Sequence, residues 1–203
     1  MTTVPEVPAQ LRSAVVDDMT RWLERAVIGL NLCPFAKSVH AKGQIHWVVT
    51  GAQDVPSLLA VLSHELLELA AIGPDRRDTT LLMVPGFLRD FLDFNDFLGE
   101  ADALLAELGL QGELQIASFH PLFQFAGTTV DDIGNYTNRA PYPTLHLLRE
   151  ASIDRAVQAY PQPQAIYERN MQVLAELGHE GWQALGLQPK APEIRAGRSE
   201  EQR

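Results

Sequence analysis

Apolar residues along the chain follow two periods, and the switch between them sets the expected order of elements. Val15, Met19, Trp22, Leu23, Ala26, Val27 and Leu30 recur on one helical face, which predicts a helix from Leu11 onward. Pro34 disfavours helical backbone in the residue before it, so Cys33 is expected at or just past the end of this helix, in an irregular break over residues 31–35. Residues 44–50 (QIHWVVT) are β-branched and aromatic and read as a strand. Asp54 or Ser57 then caps a helix with Leu58, Leu62, Leu66 and Leu69 on its apolar face, closed by Gly73-Pro74. The run TTLLMV (79–84) predicts a strand buried on both faces.

A third helix is expected from Asp93 or Asn95 to Gly109, and a third strand over 113–119 (ELQIASF). Pro143 suits the first turn of a fourth helix, with Leu145, Leu148, Ala151, Ala156 and Val157 as its stripe. A fifth helix is expected over 165–177, stopped at Gly178, with a short helical turn after it. Strands alternating with helices predict an α/β fold: a small, mainly parallel sheet of three strands flanked by helices, with a helical C-terminal part. A fourth strand has room in residues 123–130. The domain is expected to span 11–187, between a mobile tail over 1–10 and an unstructured tail over 188–203.

The segment between the third strand and the fourth helix breaks the pattern. From His120 to Pro141 neither period persists, yet the segment is rich in aromatic and polar side chains. Long loops in compact domains tend to be functional or disordered, and disordered ones are poor in aromatics, so an ordered functional loop is expected. It leaves the carboxyl end of a strand, where ligands collect in open α/β sheets.

Composition narrows the chemistry. A net charge of −10 argues against broad nucleic-acid binding, which needs a basic surface. No apolar run is long enough to span a bilayer, and no secretory signal pattern opens the chain. One cysteine, Cys33, excludes an internal disulfide and fits a reducing, cytoplasmic setting. Dinucleotide, Walker, serine-hydrolase, zinc-protease and CxxC motifs are all missing.

The candidate site residues are therefore scattered ones. Cys33 reads either as a buried small hydrophobe or as a nucleophile or soft metal ligand. His120, at a strand end, and His146, in a first helical turn, are candidates for acid–base catalysis. With Cys33 they would make a ligand set for a transition metal, zinc or iron. Arg139 and Arg149, with Asn135, are candidates for holding a small anionic molecule. Asp131 and Asp132 read as a solvated turn or as carboxylates for a metal.

Three stretches, ERAVIGLNLCPFAK (24–37), QIASFHPLFQFAGT (115–128) and NYTNRAPYPTLHLLRE (135–150), resemble the bacterial domain-of-unknown-function family 1415. The likeness runs from about Trp22 to Leu177 and implies that the blocks form one unit. The family brings no established reaction. Leu122 and Phe123 stand where its histidine-proline motif more often has an acidic residue and tyrosine.

Two functional expectations follow. One is a small-molecule enzyme, or a protein binding a metal or anionic ligand, with a site made by the 31–35 break and the 119–150 loop. The other is a non-catalytic interaction domain that presents Phe123, Phe125, Tyr136 and Tyr142 to a protein partner.

Overall fold

The computed structural model describes residues 4–159 and 163–192. The first helix, α1 (Ala9–Trp22), passes without a break into a π-helical segment, Leu23–Ile28. A turn and a short helix, α2 (Ala36–Ala41), lead to strand β1 (Ile45–Val49). Helix α3 (Val55–Ala71), β2 (Thr79–Met83), α4 (Phe91–Glu107) and β3 (Leu114–Phe119) follow in the expected alternation. Asp54 caps α3 by accepting from the Ser57 amide at 2.8 Å. Helix α4 starts a turn earlier than expected, because Asp90 accepts from the amides of Leu92 and Asp93 and so supplies the cap.

The sheet corrects the expected topology. Residues 144–149 form a strand, β4 (Thr144–Arg149), where a helix was expected, and residues 123–130 form none. The four strands lie in the order β1-β2-β4-β3, and only β1 and β2 run parallel. Strand β4 is antiparallel to both neighbours. The sheet is thus mixed, not mainly parallel. The physical reason is in TLHLLR itself: Leu145 and Leu147 alternate with Thr144, His146 and Leu148, and a short apolar run fits either period. Helix α5 (Glu150–Ala159) starts directly after this strand. Helix α6 (Pro163–Ala184) follows and is interrupted at Gly178 (φ 63°), where the sequence placed a stop.

Alternation across the pleat divides the core into two layers. Leu82, Leu145, Leu147 and Leu114 meet Leu58, Leu62, Leu66 and Leu69 of α3 and Phe94, Phe97 and Ala101 of α4 on one face. Leu81, Met83 and Val49 meet Val15, Met19, Trp22 and Ala26 of the first helical segment on the other.

The described residues before α1, 4–8, pack against the body. Val7 is buried, and the Pro5 carbonyl lies so close over Gly51 that a Cβ there would sit 2.2 Å from its oxygen. Residues 188–192 also pack on the body, through amides described below; the rest of the expected C-terminal tail lies outside the described residues. Among the described residues, no helix is long and apolar enough to cross a membrane.

Candidate functional site

The expected site residues do not converge. In a strand, His146 and Arg149 point to opposite faces, whereas helical spacing would have put them side by side. His146 shares its face with Phe119, ring centroids 5.7 Å apart, and Phe119 stacks in turn on Trp22. Burial pushes the His146 imidazole down to about 4. His120 lies on the other face, against Phe91 and Phe94.

Both nitrogens of His120 are engaged. Its Nδ1 accepts from the Leu122 amide at 3.0 Å, which leaves Nε2 as the protonated nitrogen donating to the Leu88 carbonyl at 3.1 Å. Burial lowers its pKa, against the opposing pull of the Leu88 bond and of Asp90. A wholly buried neutral imidazole with no free lone pair is a fastener. Its task is visible in Leu88, which adopts the left-handed region at φ 53°.

The arginines are fasteners too. Arg139 donates from Nε to the Phe123 carbonyl (3.1 Å) and from its terminal nitrogen to the Val130 carbonyl (2.7 Å), and its guanidinium lies 4.2 Å from the Tyr136 ring centre. Arg149 is buried and donates to the carbonyls of Leu69, Ile72 and Arg77. It thereby brings a cation to the carboxyl end of α3, where the dipole favours one.

Asn135, wholly buried, accepts from the Phe125 amide and the Thr128 hydroxyl and donates to the Thr129 carbonyl. Asp132 caps the 3-10 helix Ile133–Asn138 through the Gly134 amide. Cys33 is partly exposed in the turn after the π-helical segment, as its position before Pro34 implied. Among the described residues no group of three or more His, Cys, Asp or Glu is placed to hold a metal ion, so the Cys33, His120 and His146 set does not form.

Nor do the aromatics make an open patch. Phe123 stacks on Phe91 and Phe125, Tyr136 on His179 and Trp182 of α6, and Tyr142 is buried. The loop is ordered because its polar and aromatic groups bind one another.

What the loop builds is a cleft of about 340 Å³. Pro85 follows β2, Pro121 follows β3, and Pro141 and Pro143 precede β4; Met83, Phe119 and Thr144 are aligned in register, so all four prolines lie at one end of the sheet. Leu11 and Val15 of α1 and Pro189, Ala191 and Pro192 form the opposite wall, with Leu122 and Arg89, both exposed, among the lining residues. This is the end at which open sheets collect ligands.

Behind the cleft is a polar node that sequence patterns did not reveal. Asp18, 1% exposed on α1, accepts from the Tyr142 hydroxyl (2.7 Å) and from the amides of Lys190 (2.7 Å) and Ala191 (3.0 Å), and pairs with Arg21. Burial pushes its carboxyl up, but the bonds from Tyr142, Ala191, Lys190 and Arg21 together outweigh this and hold it below the usual carboxylate value. Tyr142 is shifted upward, first by burial and then by Asp18, so its hydroxyl stays protonated. The node's partners are far apart in sequence. The one local signal was an acid one turn from Val15 and Trp22 on the apolar side of α1.

The model of the family described as "Protein of unknown function (DUF1415)" matches residues 14–184. That span contains all four strands and most of the cleft lining. No curated protein and no solved structure matches the chain. The chain belongs to the DUF1415 family of proteins of unknown function.

Proposed function

We propose that the chain binds a small organic anion with an apolar body, such as an aryl or branched-chain carboxylate, in the cleft at the carboxyl ends of β2 and β3. The observation that carries this reading is the lining itself: prolines and aliphatic residues, with Arg89 and Tyr142. Apolar walls with a few polar groups are the usual make-up of a ligand site, and about 340 Å³ is at the small end of the range. Proline walls favour a preformed cavity, because their φ angles are already fixed. A guanidinium suits a carboxylate. The lining has no imidazole, carboxylate or thiol, which supports binding over bond-making chemistry.

Ligand-observed NMR with phenylacetate and phenylacetamide tests the reading. Phenylacetate is expected to bind with a Kd in the millimolar range or below, and phenylacetamide about tenfold more weakly. Arg89→Gln should remove the difference between the two, and Leu122→Asp should weaken both. Equal binding of acid and amide by the unaltered protein, or, in protein-observed spectra, shifts that do not map to Leu11, Val15 and Leu122, would remove the proposal.

A further inference from the structure

A second cavity, of about 280 Å³, opens at the other end of the sheet. Its lining comes from His46 near the start of β1, from His64, Glu65, Glu68 and Ile72 in or just after α3, and from Arg76 and Arg77 before β2. Every lining residue but Ile72 is ionisable.

The floor is a buried ion pair. Arg77 and Glu65, 6% and 7% exposed, bond to each other, and Arg77 also donates to the Thr80 hydroxyl from Nε (2.9 Å) and from its terminal nitrogen (2.7 Å). Such a pair does little for stability once its desolvation is counted. His46 Nε2 stands 3.8 Å from Glu65, beyond hydrogen-bond reach. Burial and then the charge of Arg77 lower the His46 pKa, against Glu65 and Glu68.

With the floor pair neutralised internally, the rim carries two exposed opposite charges, Glu68 on α3 and Arg76 in the turn that follows. A singly charged ligand would gain from one and be repelled by the other. A ligand carrying both charges would gain from both. We propose that this groove is a binding site for a small zwitterion, an amino acid whose carboxylate faces Arg76 and whose ammonium faces Glu68.

The imidazole C–H signals of His46 and His64, followed by proton NMR at constant pH in the full chain, give the test. Glycine, β-alanine and γ-aminobutyrate vary the charge separation, and acetate and methylammonium supply each charge alone. At least one amino acid is expected to give a saturable shift, with acetate and methylammonium about tenfold weaker or silent. Arg76→Gln and Glu68→Gln should each weaken that response about tenfold while leaving the thermal midpoint unchanged, since both side chains are exposed. An equal response to acetate alone would show a simple anion site and overturn the proposal. Silence to all five probes at roughly 50 mM would leave a structural ion pair and overturn it too.

Discussion

Tyr142 donates a hydrogen bond from its hydroxyl to the carboxylate of Asp18 at 2.7 Å, across 124 residues of chain. The same carboxylate holds the amides of Lys190 and Ala191, so one side chain ties α1, the entry to β4 and the segment after α6. Replacing it with amide, in Asp18→Asn, presents an NH₂ to donors that need an acceptor. The expected cost is about 3 kcal/mol in urea unfolding, in line with breaking a buried charged network. Trypsin should also cut after Lys190 sooner than in the unaltered chain. Because the folded-state pKa is depressed, this stabilisation is complete above the ordinary carboxylate value of 3.8 and is lost as pH falls through the lower folded value. Unchanged stability and unchanged cleavage would mean the carboxylate is not the clamp.

His120→Phe keeps an aromatic ring against Phe91 and Phe94 but leaves the Leu88 carbonyl and the Leu122 amide without their partner. Two lost buried hydrogen bonds predict a loss of about 2–4 kcal/mol. Hydrogen exchange should quicken first at Leu122. A variant as stable as the parent would show that the histidine is not holding this backbone.

His146 makes stability depend on pH in a defined window. Its folded pKa of about 4 lies below the ordinary 6.5, so the neutral ring's contribution is complete above 6.5 and is lost as pH falls towards 4. The largest loss is about 3 kcal/mol, from 1.36 kcal/mol per pKa unit. His146→Leu should flatten the stability profile between those values, with the residue of the slope left to His120 and His46. An unaltered profile would place the pH dependence elsewhere.

Gly51→Ala tests whether the first residues belong to the domain. Its Cβ would meet a backbone oxygen, that of Pro5, and backbone cannot swing aside as a side-chain tip can. The expected cost is about 1–3 kcal/mol, typical of overpacking, with faster exchange in residues 4–8. If the substitution is neutral and exchange there is already fast, the docking of Val7 is not part of the stable fold.

The pattern of the sequence carried the fold further than the site, for reasons visible in single residues. Long faces such as Leu58–Leu62–Leu66–Leu69 admit only one period, and they were legible. TLHLLR is six residues long, follows a proline and has leucines at both spacings, so periodicity could not separate strand from helix. Placing β4 correctly also reverses the pairing of His146 with Arg149. The 120–141 segment was legible as ordered, and its walls do frame a cleft at the strand ends. Its polar residues were misleading, because an irregular backbone must satisfy its own amides and carbonyls. Asn135, Arg139 and His120 meet that need, and a side chain that closes a loop looks, in sequence, like one that meets a ligand. Asp18 was hidden for the opposite reason: its partners at 142, 190 and 191 leave no spacing to read.

The sheet order also sets a constraint on synthesis. Among the described residues the last strand to be made, β4, sits between β2 and β3 and is the only strand paired with β3. A nascent chain that has not passed Arg149 therefore carries β3 with no partner and β2 with one edge open. Unpaired edges of that kind recruit other strands. Premature termination before β4 is thus expected to yield not a smaller version of this domain but a chain prone to aggregate.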